Sequence, residues 1–397
     1  MSPSVPTSMA DQNRRFGVDK LGLLIAMIAG AGLLLPFAQF RANRIVLGEG
    51  RVLFDALPTS WALLLTVIIL LVMLGAILRF APALKLGCAS AALLALAGLL
   101  GISAGHLMPV GNGLARVSPA SGFWLLLFAF ALLATDALAR LKPGPWARIA
   151  ILAGLAMALA VLLASGLWAD LSVLQEYASR AASFWRQART HMTLTFGSVT
   201  AATLAGIPLG ILCHKVAGLR AALLNLLNII QTIPSIALFG LLISPLAWLA
   251  ANLPGASAIG ITGIGAAPAF VALFAYSLLP IVSNTLVGLQ AVSPKVVDAA
   301  RGMGMTGRQR LFSVELPLAF PVILTGIRIV LVQTIGLATV AALIGGGGFG
   351  VFVFQGIGQT AMDLVLLGAV PTVVLAFAAA VVLDAFVELA GGKEARR

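Results

Sequence analysis

The sequence predicts an all-α polytopic membrane protein of about ten membrane-crossing helices. Three observations lead there. Hydrophobic residues make up 60% of the 397 residues and charged residues 10%, against roughly 45–50% and 25% in soluble domains. The apolar residues gather in uncharged runs close to the ~20 residues that a helix needs to cross hydrocarbon. The basic residues collect in alternate connections between those runs. A soluble enzyme of this length has no core large enough for so much apolar surface, and a disordered chain needs the opposite composition.

In chain order, residues 1–20 form a polar tail with Arg14, Arg15 and Lys20, and residues 21–40 carry no charge. Arg14-Arg15-Phe16 faintly resembles a twin-arginine signal. The apolar run exceeds the ~7–15 residues of a signal's hydrophobic region and no A-x-A follows, so a retained first helix is expected. Further spans are expected at 61–79, 86–105, 122–138 and 149–169. Asp170–His191 is different: Leu171, Leu174, Tyr177, Ala181 and Phe184 recur at helical spacing among Asp170, Glu176, Arg180, Arg186 and Arg189, the pattern of an amphipathic helix. Spans at 193–213, 221–245, 263–285, 321–344 and 363–389 complete the chain. No soluble domain remains, and the halves show no clear repeat.

The net charge of +12 rests on 25 Lys and Arg against 13 Asp and Glu. No basic stripe carries interleaved aromatics, so nucleic acid is not the expected partner. With the N-terminus inside, the inner segments hold 17 of the 25 cations and the outer segments 7, with Arg328 inside a span. That bias predicts an N-in, C-in topology. The expected organisation is a cytoplasmic tail 1–20, a five-helix block 21–169, a periplasmic amphipathic segment 170–192, a five-helix core 193–390 and a tail 391–397. The longest inner loop, 286–320, lies within the core. Cys88 and Cys213 sit far apart with no C-x-x-C and are expected to be small apolar fillers.

That inner loop is the most informative segment. Ser293-Pro294 predicts a capped helix start. Gly304 breaks the helix, and Thr306 with Gln309 predicts a capping box for a second one. Pro317 is expected to end that second helix. The result is an exposed two-helix knob with a glycine hinge, whose small residues Ala299 and Ala300 permit close approach of another protein. From the residues alone, a plain surface connector is an equal reading. Asp298-Ala299-Ala300-x3-Gly304-x9-Val314-x-Leu316-Pro317 resembles the E-A-A-x3-G-x9-I-x-L-P coupling loop of permeases of ATP-binding-cassette importers. Asp298 replaces the usual Glu and Val314 the usual Ile, keeping charge and shape. Asn228–Ser235, Leu278–Thr285 and Gly345–Gly350 are similar to the glycine betaine/choline, or osmoprotectant, branch of that family.

The resemblance covers about 190–390, and the first five spans resemble those of longer permeases in the branch. It implies a C-terminal core of the type I importer kind, and a bacterial inner-membrane protein. It implies an ATPase-coupling role for Asp298, Ala299, Ala300, Gly302, Gly304, Val314, Leu316 and Pro317. The implied partners are cytoplasmic ATP-binding subunits, a periplasmic binding protein and a second permease subunit, identical or not. The implied cargo is a small quaternary-ammonium osmolyte, moved by alternating access without covalent chemistry.

Other motifs fail on context. Gly302-x-Gly304-x-x-Gly307 fits a dinucleotide fingerprint, but no strand precedes it. No G-x-x-x-x-G-K-[ST] exists, so the usual ATP-cradling loop is missing. His106, His191 and His214 are scattered, giving no metal-site spacing and no expected cofactor. Gly206-x-x-x-Gly210 predicts close helix packing. Polar residues in lipid are costly, which singles out Gln231, Thr232 and Ser235 beside Pro234, then Asn284, Arg328 and Gln333. For these, lining of a translocation path and helix–helix bonding are both open, and Arg328 has snorkelling as a third reading. The rival function is an ion-coupled secondary carrier, which needs buried carboxylates; only Asp384 and Glu388, late in the last span, come near that role.

Overall fold

The computed structural model describes residues 19–43, 46–109, 111 and 113–391. Arg14, Arg15, Arg44, Lys393, Arg396 and Arg397, all counted for topology, and nearly all of the expected tails lie outside these. Among the described residues, nine helices are long and apolar enough to cross a membrane, and Lys20–Leu34 is a shorter apolar one. The all-α polytopic architecture expected from composition is thus the one observed.

The helices in order are α1 (Lys20–Leu34), α2 (Thr59–Ile77), α3 (Pro82–Leu107), α4 (Ser121–Leu141), α5 (Pro145–Ala164) and α6 (Ser172–Lys215). They continue as α7 (Ala217–Thr232), α8 (Ser235–Leu241), α9 (Ile243–Asn252), α10 (Ala266–Gln290), α11 (Pro294–Gly302) and α12 (Gly307–Arg310). A π-turn Leu311–Glu315 leads into α13 (Leu316–Leu337), followed by α14 (Gly350–Gly358) and α15 (Met362–Ala390). Contacts divide the chain into two units, one running to Pro143 with Gly154–Ala178, the other comprising Gly144–Ala153 and Ser179 onward.

In the first unit, α1 to α4 enclose a core that includes Ile25, Leu65, Ile69, Leu96, Leu126 and Phe130. One end is tied by charge. Asp19 caps α1 and accepts from Lys85 Nζ at 2.9 Å and Arg140 Nη2 at 3.0 Å. Lys85, only 4% exposed, also donates to the Ala76 carbonyl at 3.0 Å. Burial works to raise the Asp19 pKa, but the Lys85 hydrogen bond and charge, the Gly22 N–H and Arg140 outweigh it and hold the carboxyl below its ordinary value. An all-α chain is expected to hold no strands. Ala38–Arg41, Glu49–Arg51 and Arg116–Pro119 nonetheless form a three-stranded antiparallel sheet, with the first strand central. Ala38 pairs with Arg51 on one side and Pro119 on the other.

In the second unit, α6, α7, α10, α13 and α15 share a core that includes Val199, Ile281, Val282, Val330 and Ile335. Two elements differ from expectation. The amphipathic stretch is divided by a kink at Arg180, whose angles are non-helical, and its second part, from Ala181, runs on without a break into the next span to Lys215. The expected span 221–245 is broken instead, because Pro234 has no N–H to continue the helix and restarts it as α8.

Gly206 and Gly210 mark a close approach of α6 to α10. A Cβ on Gly206 would stand 2.7 Å from Ile281 Cγ2, and one on Gly210 2.5 Å from Thr285 Cβ. Gly210→Leu therefore overpacks the interface and should cost about 1–3 kcal/mol, read as a lower melting temperature and a loss of monodisperse protein. Gly87→Leu, where a Cβ meets nothing within 4 Å, should behave as wild type; equal behaviour of the two variants would refute the close-packing account. Both cysteines are free, and Cys213 is buried, as fillers would be.

Candidate functional site

The loop between α10 and α13 folds into the two-helix knob. Pro294 occupies the first turn of α11, and the backbone of Ser293 takes the capping conformation, although its side chain makes no capping hydrogen bond. The helix ends in a Schellman arrangement: Met305 N–H bonds the Ala300 carbonyl at 3.2 Å and Gly304 N–H bonds the Arg301 carbonyl at 2.9 Å. That closure needs a left-handed residue, and Gly304 supplies it with φ of 79°. The capping box forms as the spacing predicts: Gln309 N–H donates to Thr306 Oγ1 at 3.3 Å, and Thr306 N–H donates to Gln309 Oε1 at 2.8 Å.

Pro317 does not end the second helix. It sits in the first turn of α13, and Leu316 N–H reaches back to the Leu311 carbonyl through the wider π-turn. The wider turn lies just ahead of the proline, and the helical path continues through it. Across the π-turn, Arg310 Nε donates to Glu315 Oε1 at 2.6 Å, and Glu315 is 6% exposed. Sequence reasoning missed this pair, because residues five apart face each other only where the helix widens. Of the knob residues, Asp298, Ala299, Gly302 and Gly304 are exposed. Asp298 pairs with Arg301 at 3.2 Å on that surface. Ala300 is turned inward at 2% exposure; its small side chain serves the knob's own packing. Val314 and Leu316 are half-buried and Pro317 is exposed.

The polar residues within the spans fall into two groups. Around the Pro234 break, several backbone carbonyls accept from side chains. Pro280 in α10 leaves the Tyr276 carbonyl without its helical donor, and Gln231 Nε2 donates to it at 2.8 Å. The Tyr276 hydroxyl in turn donates to the Ile233 carbonyl, just ahead of Pro234. Asn284 Nδ2 donates to the Pro280 carbonyl at 2.8 Å, and Thr232 Oγ1 to the Ile229 carbonyl at 2.7 Å. Ser235 opens α8 and is half-buried; Gln333 is exposed on α13. The second group is ionic. Arg328 Nη1 meets Asp384 Oδ1 at 2.6 Å, and Asp384 Oδ2 meets Arg148 Nη1 at the same distance. Arg148 Nη2 also reaches Glu388 Oε2 at 3.0 Å.

A further buried feature was not singled out by sequence. His191, fully buried, packs on Phe349 with ring centroids 5.0 Å apart, and Gln187 Oε1 accepts from Gly348 N–H at 2.8 Å. The first polar turns of α6 are thereby fixed to the glycine-rich loop before α14.

Span-length apolar helices, with an exposed two-helix loop between two of them, define a multi-pass membrane protein. Residues 206–391 match the binding-protein-dependent transport system inner membrane component family, and residues 17–174 match the N-terminal domain of the ABC transporter permease YehY. The osmoprotectant import permease protein OsmW of Salmonella typhimurium is 42% identical over 194 residues, covering 49% of this chain and 83% of the relative. The choline transport system permease protein OpuBB of Bacillus subtilis is 37% identical over 186 residues, covering 47% and 78%. The chain belongs to the permease family of binding-protein-dependent ATP-binding-cassette importers, and the relatives named above are osmoprotectant and choline permeases. Such a subunit is not itself an enzyme; ATP hydrolysis belongs to a separate subunit. Among solved structures, an inward-facing MetNI methionine ABC transporter aligns with 53% of this chain and 98% of its own at 24% identity, with a TM-score of 0.46.

Proposed function

We propose that this chain forms part of the inner-membrane path for a small quaternary-ammonium osmolyte of the glycine betaine or choline type. Cytoplasmic ATPases grip the exposed face of the knob around Asp298 and Ala299. Their ATP-driven closure rocks the core 193–390 between inward- and outward-open states, and a periplasmic binding protein delivers cargo to the opposite face. A second permease subunit completes the path. The observation that carries this reading is the knob itself: two short capped helices, held by a left-handed glycine, stand exposed on the loop between two spans. The names of the relatives supply the cargo class. An ion-coupled carrier fits less well, because the late carboxylates Asp384 and Glu388 are both engaged by arginine.

Binding-protein-dependent ATPase assays on the complex, run across choline, glycine betaine, carnitine and a methionine control, test the cargo. Stimulation by methionine but by no quaternary ammonium would overturn it. The orientation has its own test. In a background lacking Cys88 and Cys213, single cysteines at exposed positions of 295–310 should resist an impermeant outside reagent, while those at 180–189 should react. The reverse labelling would invert the topology and remove the ATPase-contact role with it.

A further inference from the structure

Beside the knob lies a groove of about 630 Å³ between the end of α6 and the start of the helical path into α13, within the ~300–1,000 Å³ of small-ligand pockets. Its two walls share a gradient. On α6, Ile207, Ile211 and Lys215 follow at four-residue intervals on one face, so the wall passes from apolar to cationic toward the helix end. On the other wall, Arg308 precedes Leu311 and Phe312, cationic on the knob side and apolar toward the membrane-spanning part. Phe312 is 58% exposed. Lys215 and Arg308 are exposed and make no ion pair among the described residues, whereas the neighbouring Arg301 and Arg310 are neutralised by Asp298 and Glu315.

We propose that this groove binds an anionic phospholipid, with the phosphate between Lys215 and Arg308 and an acyl chain along the isoleucine–leucine–phenylalanine trough. Charge complementarity and the shared gradient select this occupant. A soluble protein surface has no reason to meet an apolar trough that deepens into a membrane span, while a phospholipid is charged at one end and apolar along its length. Basic pockets at the cytoplasmic ends of membrane helices are suited to anionic headgroups. The assignment to the inner leaflet rests on the orientation proposed above.

The test uses the full-length permease in nanodiscs of equimolar phosphatidylcholine and phosphatidylglycerol, released into detergent for native mass spectrometry. Wild type should retain phosphatidylglycerol over phosphatidylcholine. Lys215→Gln/Arg308→Gln should lower that preference roughly tenfold. Lys20→Gln/Arg79→Gln, which removes the same charge elsewhere, should leave it intact. Equal preference in all three proteins would overturn the site. So would a Lys215→Gln/Arg308→Gln variant that keeps its lipid yet no longer co-purifies with the ATPase, since the groove would then be a protein contact. Should the lipid result hold while cysteine labelling comes out reversed, the lipid site stands and the proposed orientation fails.

Discussion

Gly304→Val will leave the membrane helices inserted and uncouple ATP hydrolysis from uptake. The residue sits at φ of 79°, and a Cβ added there meets nothing within 4 Å. The damage therefore comes from backbone conformation and not from a clash. A non-glycine residue in the left-handed region costs about 1–2 kcal/mol, more when β-branched. Losing that conformation opens the Schellman closure at Ala300 and Arg301 and releases α11 from α12. Uptake in proteoliposomes with the ATPase and binding protein should fall about tenfold, the equivalent of ~1.4 kcal/mol in the population of the competent knob. Gly304→Asn, which tolerates the same angles, should retain most uptake. Gly302→Ala is the control: its φ is helical and its surroundings are open. Normal uptake by Gly304→Val in a normally assembled complex would reduce the knob to a surface connector.

Asp384→Asn will destabilise the core. Asp384 bridges two guanidinium groups, from Arg148 and Arg328, and Glu388 also meets Arg148. Removing the aspartate charge takes from Arg328 and Arg148 the carboxylate they share, while Arg148 keeps Glu388. The four side chains are 21–37% exposed. Discounted for that exposure, two charge-assisted pairs amount to about 1–2 kcal/mol, or roughly 2–8 °C in melting temperature. Combining Asp384→Asn with Arg328→Gln should recover part of the loss, because the uncompensated charge is removed with its partner. A single Asp384→Asn protein as stable as wild type would show that the network is incidental.

Much of this was legible in the sequence, for physical reasons that differ by element. The spans were visible because lipid demands long uncharged runs. Gly304 and the Thr306–Gln309 box were visible because local backbone geometry dictates residue type within four positions. What escaped depended on distance along the chain or on irregular geometry. The sheet joins Ala38–Arg41 to Arg116–Pro119, strands too short and too remote to show a pattern. The role of Gln231 was hidden because the carbonyl it serves is freed by a proline on another helix. The partner of Arg328 stands 56 positions away. Splitting 170–192 from the following span followed the change in hydropathy, yet no Pro or Gly lies between Arg189 and Thr195 to end a helix there.

That unbroken helix has a mechanical meaning. From Ala181 to Lys215, α6 runs with helical geometry, a rod of roughly 50 Å at ~1.5 Å per residue. The hydrocarbon slab is ~30 Å thick, so the polar turns 181–192, about 18 Å of rod, project beyond the apolar part. Fixed at its far end to the glycine-rich loop through Gln187 and His191, the rod acts as a lever: a 10° tilt at the slab boundary sweeps its tip by about 3 Å. Small angular changes in the core are thereby converted into ångström-scale displacement at a surface outside the membrane.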